Sequence, residues 1–343
     1  MCFFASFKFI NFFLRGASHC LINFVSMHGI VLKSTGKWYQ VLLEDQQVVQ
    51  ASIRGKLRIE GLKTTNPIAA GDRVILDEKS DFIEGREEYY TIRSIEDRHN
   101  YIVRKSTNLS KQMQILAANI DRAYLVVTLK SPVTQIAFID RFLVAAESFR
   151  IPTTLLFNKV DLYSDEENVQ FHYLKEVYEK AGYPCYPISA RDESSVAFLR
   201  DEITGHQVMI SGNSGVGKTT LVNALDDSLD LRTGEISTAH EQGKHTTTFA
   251  EMHPLSTGGF IIDTPGIRAF GIVDLEKAHY AHYFPEMRDL LGECRFNNCQ
   301  HMNEPHCAVK DAVENEELAA HRYHTYLQLM HEDASDPHRR SDY

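Results

Sequence analysis

Gly212-Asn213-Ser214-Gly215-Val216-Gly217-Lys218-Thr219 fits the spacing G-x-x-x-x-G-K-[ST] of a loop that wraps nucleotide phosphates. Before it, Gln207-Val208-Met209-Ile210-Ser211 reads as a short buried strand. After it, Thr220-Leu221-Val222-Asn223-Ala224-Leu225 reads as the start of a helix. The glycines allow the tight turn that aims successive N–H groups at phosphate oxygens, and a helix N-terminus adds partial positive charge. In this setting Lys218 would reach the β- and γ-phosphates, and Thr219, with Thr220 behind it, would face the Mg²⁺ that accompanies them.

Working upstream, Asn158-Lys159-Val160-Asp161 follows an apolar strand at 153–157, the end at which α/β sheets bind ligands. An Asp161 carboxylate there can accept from both N1–H and the exocyclic amine of guanine, a donor pair that adenine lacks. On its own N-K-x-D is a weak signal; at a strand end, in a chain with a phosphate loop, it points to guanine. Ser189-Ala190, after the next strand at 185–188, fits a backbone donor to guanine O6. Downstream, Asp263-Thr264-Pro265-Gly266 ends a strand at 259–262. Its carboxylate suits Mg²⁺ through water and the Gly266 N–H suits a γ-phosphate. Between the two motifs lies Gly243-Lys244-His245-Thr246-Thr247-Thr248, one of whose threonines could complete the Mg²⁺ shell. Thr247 is favoured, although the three are not separable by sequence. The position after Gly266, where many GTPases carry a water-orienting Gln, is Ile267. Intrinsic turnover is therefore expected to be slow and partner-stimulated, with His245 the candidate to orient water or stabilise the transition state. The competing reading of His245 is a solvated loop histidine.

The order is base recognition, phosphate loop, switch loop, D-x-x-G. Most GTPases start at the phosphate loop; the same sheet arises if the old termini are joined and the chain is opened elsewhere. The second switch then feeds straight into the C-terminal part of the chain, which a γ-phosphate-dependent shift would move.

Around this core the chain of 343 residues divides by composition. Residues 1–26 are Phe-rich and contain no acidic residue. A signal peptide is disfavoured because Lys8 and Arg15 interrupt the apolar run. An unstructured or mis-started extension is expected instead, with Met27 the natural beginning. From 27 to 105, short alternating runs (29–33, 37–43, 47–58, 72–77 and 89–95) point to a five-stranded barrel of the oligonucleotide-binding type. There Arg54, Lys56 and Arg58 share one strand face by period-two spacing. They form either a solvated face or a phosphate-contacting stripe, with Trp38 and Tyr39 as possible stacking surfaces. A polar connection over 100–116 leads into βαβ alternation, hence a parallel sheet covered by helices across 106–273.

Residues 274–332 carry no strand signal, and a final helix is expected to bury Ala319, Tyr323, Tyr326 and Met330. The tail, 333–343, reads as disordered. Cys294-x4-Cys299-x-His301-x5-Cys307 offers three thiolates and one imidazole, a set suited to one closed, structural Zn²⁺. His306 competes with His301, but its adjacency to Cys307 makes joint coordination awkward. Net charge is −10, against a general nucleic-acid binder. Residues 27–113 carry 14 Lys+Arg against 12 Asp+Glu and residues 1–26 add +2, which leaves −14 beyond; polyanion contact belongs in the first third. No apolar run is long enough to span a bilayer.

Arg54-Gly55-Lys56-Leu57-Arg58, Asn158 to Asp161, Gly212 to Thr220, Gly243 to Thr248, Asp263 to Gly266 and the Cys/His cluster together resemble the ribosome small subunit-dependent GTPase A family (RsgA, also called YjeQ) over residues 27–332. The resemblance implies a multidomain α/β protein: an N-terminal OB-type barrel, a circularly permuted P-loop GTPase and a small helical zinc domain. It also selects His301 as the fourth ligand. It implies a cytoplasmic monomer that binds the 30S subunit and 16S rRNA and hydrolyses GTP to GDP and phosphate in late small-subunit maturation, stimulated by the ribosome. The rival readings are a P-loop kinase, which leaves Asn158 to Asp161 unexplained, a GTP-switched RNA-binding module with incidental hydrolysis, and a generic single-stranded RNA binder.

Overall fold

A computed structural model describes residues 27–53, 67–80, 89–105, 113–229, 250–263 and 275–332. Strands β1 (Met27–Ser34), β2 (Trp38–Leu43), β3 (Val48–Ile53), β4 (Arg73–Ser80) and β5 (Tyr89–Ile95) pair in the order β1-β2-β3-β5-β4, and β4 pairs back onto β1. The sheet therefore closes, as the five alternating runs predict, with β3 and β5 parallel. Alternation turns Val31, Val41, Ala51, Val74, Leu76 and Ile92 inward to fill it. Tyr39 belongs to this core and is 1% exposed, so it offers no stacking surface. Trp38, its neighbour on β2, stays half-buried on the opposite face, with Tyr89 edge-on at 5.2 Å and the Lys37 ammonium 5.7 Å from its ring.

The polar connection expected over 100–116 is instead a hairpin of β6 (Tyr101–Lys105) and β7 (Met113–Ala118). Ile102, Val103, Ile115 and Leu116 are buried, and that apolar content overrides the cations that made the stretch read as a loop. The hairpin is keyed to the next unit by Asn100, whose side chain exchanges two hydrogen bonds of 2.8 Å with the backbone of Ile120.

β8 (Arg122–Val127), β9 (Thr153–Asn158), β10 (Cys185–Ile188), β11 (Gln207–Ser211) and β13 (Phe260–Asp263) form a parallel sheet in the order β10-β9-β8-β11-β13. β12 (Glu251–Pro254) joins it antiparallel beyond β13. Its strands are apolar on both faces because helices cover both. Leu125, Val127, Leu155 and Phe157 pack toward α1 (Ile136–Ser148) and α2 (Asp165–Lys180). Tyr124, Val126 and Leu156 pack toward α3 (Glu193–Ile203) and α4 (Lys218–Leu225). The chain runs outward from β8 to β10, then returns through α3 to β11 in the middle. β8 and β11 are thus a topological switch point, where a ligand crevice opens at the carboxyl ends. At the other edge β12 meets barrel strand β1 at Glu251 and Lys33, which also form a half-exposed ion pair of 2.6 Å.

The C-terminal residues fold into a 3₁₀ turn (Lys277–Tyr283), α5 (Pro285–Arg288), α6 (Ala308–Glu314) and α7 (Ala320–His331). Tyr280, Phe284, Met287, Leu318, Tyr326 and Leu329 pack together with Val144 of α1. The inward face of α7 differs from the apolar one expected. Ala319 lies just outside the helix as its N-cap, and Arg322 and Thr325 are buried beside Tyr326, Leu329 and Met330. The Arg322 guanidinium is 1% exposed; its Nε lies 2.6 Å from Glu286 and its Nη1 3.1 Å from Asp140 of α1. Asp140 also accepts from Tyr178 (2.9 Å) and Thr325 (2.8 Å). Parting a buried pair of this kind costs about 3–5 kcal/mol, so the network holds the C-terminal unit on α1. Among the described residues no helix is long and apolar enough to cross a membrane. The expectations for residues 1–26 and 333–343 lie outside the described residues.

Candidate nucleotide site and metal centre

The phosphate loop connects β11 to α4 at the carboxyl edge of the sheet. Its conformation demands glycine twice over. Gly217 has φ of +101°, and a Cβ there would meet Asn158 Nδ2 at 2.4 Å. Gly212 has φ of +144°, and a Cβ there would meet the Val126 carbonyl oxygen at 2.3 Å. Val216 is fully buried and anchors the loop from within. Lys218 Nζ lies 2.8 Å from the carbonyl oxygens of both Gly212 and Asn213, which keeps the ammonium in the mouth of the loop. Thr219, in the first turn of α4, is buried at the loop's base. Asn213 is half-buried just before the turn, and Ser214 and Gly215 form the turn itself and are exposed.

Asn158, the last residue of β9, is a brace between distant segments. Its Nδ2 donates to the Val216 carbonyl (2.7 Å) and its Oδ1 accepts from the Ala190 N–H (2.9 Å). One buried amide thus ties the phosphate loop to the turn after β10. Lys159, at φ of +66°, turns its ammonium onto the Gly215 carbonyl (2.8 Å) and the Ser131 carbonyl. The 3₁₀ turn Val160–Leu162, next in the chain, leaves Asp161 exposed at the rim. The turn is steadied from below by Tyr163, whose hydroxyl donates to the Asn158 carbonyl (3.2 Å). A cleft of about 180 Å³ lies among these pieces, lined by Asn158, Lys159, Asp161, Ser189, Ala190, Gly215, Gly217 and Thr220. Arg191 lines it too and was missed in the sequence, where nothing but its place after Ser189-Ala190 marks it. The Ala190 N–H, the donor expected for a base oxygen, is engaged by Asn158.

Asp263 ends β13, one residue beyond Ile262, which pairs with Met209 of β11. The backbone of Asp263 is therefore at the same sheet edge as the phosphate loop. Thr219 carries a hydroxyl, a hard oxygen donor of the kind Mg²⁺ takes. His245, Thr246, Thr247, Thr248 and Gly266 lie outside the described residues, as do Arg54, Lys56 and Arg58.

The second cluster is in the C-terminal unit. Cys294 Sγ, Cys299 Sγ, a ring nitrogen of His301 and Cys307 Sγ lie within 4.8 Å of one another. Cys294 and Cys307 sulfurs are 4.0 Å apart, and His301 Nδ1 stands 3.5 and 3.4 Å from them. Around a tetrahedral Zn²⁺, bonds of about 2.3 Å to sulfur and 2.0 Å to nitrogen put sulfurs about 3.8 Å apart and sulfur and nitrogen about 3.5 Å apart. The residues fit that ion. Burial pushes the Cys299 thiol up to about 12 and raises Cys307, because the thiolate is disfavoured there without a cation to pair with it. Burial also lowers His301, which keeps its imidazole neutral and able to ligate. His306 is exposed and is not one of the clustered ligands. The shell around the cluster is ordered: Tyr323 and Tyr326 of α7 donate to the carbonyls of His301 (2.7 Å) and Gln300 (2.6 Å). The Glu304 carboxylate gathers the N–H groups of Gln300, Met302 and Asn303.

Comparison with known proteins places this geometry. The sequence pattern of the RsgA GTPase family matches residues 95–273, and that of the RsgA N-terminal domain matches residues 28–82. The chain is 51% identical over 318 residues to the small ribosomal subunit biogenesis GTPase RsgA of Christiangramia forsetii, covering 92% of this chain and 99% of the relative. It is 47% identical over 316 residues to the protein of that name from Bacteroides fragilis, covering 91% and 99%. Among solved structures it is similar to YjeQ from Thermotoga maritima, with a TM-score of 0.69 at 33% identity over 89% of this chain and 98% of that one. YloQ, a circularly permuted GTPase, matches with a TM-score of 0.68 at 28% identity over 92% and 96%.

Proposed function

The chain belongs to the RsgA GTPase family, and from that premise we propose that it hydrolyses GTP on the small ribosomal subunit during late maturation of that subunit. The observation that carries the reading is the Asn158 brace, whose amide ties the phosphate loop at Val216 to the turn at Ala190, on the cleft that Asp161 also lines. Asp161 accepts from guanine N1–H and its exocyclic amine, and Lys159 covers the base. The N–H groups of Gly212 to Thr220 hold the phosphates, with Lys218 on the β- and γ-phosphates. Thr219, Thr247 and Asp263 hold Mg²⁺, which neutralises charge on the phosphates when bound. The Gly266 N–H bonds the γ-phosphate. With Ile267 unable to orient water, His245 does so in ribosome-stimulated turnover.

Arg54, Lys56 and Arg58 contact 16S rRNA, the Trp38 and Tyr89 ring pair offers bases a stacking surface, and Lys37 adds charge beside Trp38. The metal centre is structural: four protein ligands close a tetrahedral site and leave no position for substrate. The protein acts as a cytoplasmic monomer that exchanges GTP and GDP. GTP turnover measured with purified 30S subunits, with 50S subunits and with neither tests the reading. Stimulation by 30S alone is expected; equal rates in all three reactions would remove the small subunit from the function.

A further inference from the structure

A second and larger groove, about 500 Å³, runs between α2 of the GTPase unit and the turn joining α6 to α7. Its two walls are tied through Asp140 of α1, which accepts from Tyr178 of α2 and pairs with Arg322 of α7, so the groove is a fixed feature of the joint. The α2 wall presents Tyr173, 51% exposed, and, one turn on, Val177, with Leu318 lining the other wall. The opposite face of α2 carries Phe171, Leu174 and Tyr178 into the core, and the Tyr173 ring meets His321 of α7 edge-on at 6.1 Å.

The rim above this apolar floor is acidic. Glu176 stands on α2, and Glu316 and Glu317 stand on the facing turn, which is pinned by the N–H groups of Glu317 and Leu318 bonding the Ala312 carbonyl. Among the described residues these three carboxylates make no ion pair and no side-chain hydrogen bond, and Lys180 at the end of α2 is the lone facing cation on the rim. Arg322 at the floor attracts no anion, because Asp140 and Glu286 already neutralise it.

We propose that this groove docks an arginine- or lysine-rich segment of a partner protein. Aliphatic stems lie along Tyr173, Val177 and Leu318, and cationic heads pair with Glu176, Glu316 and Glu317. The carboxylates select charge and the floor takes the apolar stems, and neither property alone defines the site.

Fluorescence anisotropy of the full-length zinc- and GDP-loaded protein tests this with a labelled dodecapeptide of alternating Arg and Ala. The expected result is saturable binding that weakens at least about tenfold in the Glu316→Gln, Glu317→Gln double variant. The Glu44→Gln, Asp201→Asn double variant, which removes the same charge from exposed sites elsewhere, should change affinity less than about twofold. A photoreactive p-benzoylphenylalanine replacing Tyr173 should crosslink to the peptide. Equal losses in the two double variants would overturn the proposal, since binding would then follow overall charge. Crosslinks from position 173 to the chain's own residues or to a second copy would overturn it as well. So would a twelve-nucleotide RNA that displaces the peptide and is itself weakened by the Glu316 and Glu317 changes. The test uses no ribosome, so its outcome is separate from that of the 30S turnover measurement.

Discussion

The nucleotide cleft and the metal centre are built by opposite routes. The cleft gathers the turns after β8, β9, β10 and β11, and its parts are held by side chains that bond backbone across long sequence distances. The metal centre draws all four ligands from the single stretch 294–307, within a unit whose core is small. A site of the first kind inherits its stability from the whole sheet and loses function locally when a brace is removed. A site of the second kind stands or falls with its ion.

Metal removal should separate the two most sharply. A structural zinc contributes on the order of 10 kcal/mol to folding of a small unit. Chelation is expected to melt α6 and α7 and expose 275–332 to protease, while GDP affinity changes less than about threefold. Loss of GDP binding on chelation would mean that the two sites share one folding unit. Next in size is Arg322→Ala, which leaves Asp140 and Glu286 buried without their cation. It should destabilise by about 3–5 kcal/mol in urea unfolding, and Arg322→Met, which refills the volume, remains subject to the same uncompensated carboxylates.

Asn158→Ala strips the partners from the Val216 carbonyl and the Ala190 N–H, at about 1–3 kcal/mol for each buried group. GDP should bind roughly 10- to 100-fold more weakly, with bound zinc unchanged; an unchanged GDP affinity would show that the loops hold their spacing without the brace. Lys33→Ala at the β1–β12 edge should cost no more than about 1 kcal/mol, because both partners of its ion pair are part-exposed.

Much of this was legible in the sequence for physical reasons. Phosphate wrapping needs glycine at positions such as 212 and 217, where a side chain collides with backbone or with Asn158, so the loop leaves a spacing that can be read. Period-two alternation revealed the barrel. The same alternation separates Trp38 from Tyr39, and following it strictly would have sent Tyr39 inward, where it lies. The β6–β7 hairpin was hidden because Arg104, Lys105 and Lys111 mask the short apolar runs beside them. Arg322 was illegible from periodicity. A buried guanidinium is compatible with a helix face only when carboxylates meet it, and these lie 36 and 182 residues away in the chain.

The joints also differ. The C-terminal unit is fastened to α1 by buried charges, so moving it with the nucleotide means breaking them. The barrel meets β12 through an edge pairing and a half-exposed ion pair. It is also held by the Asn119 side chain on the Gly71 carbonyl (3.0 Å), by the Ala118 N–H on the Ala70 carbonyl (2.9 Å), and by Leu32, Leu42 and Ala70, which pack in the core of the parallel sheet.

The most direct measurement is displacement of a fluorescent GDP analogue by GDP and by ADP, on the wild-type chain and on Asp161→Asn. Asp161 sits at the end of a braced turn and can satisfy the two donors of guanine, which adenine cannot offer. GDP should displace the probe at concentrations at least ~100-fold below ADP, and Asp161→Asn should erase most of that difference by removing the acceptor pair. Equal displacement by GDP and ADP on the wild-type chain would contradict a guanine site built by these two loops.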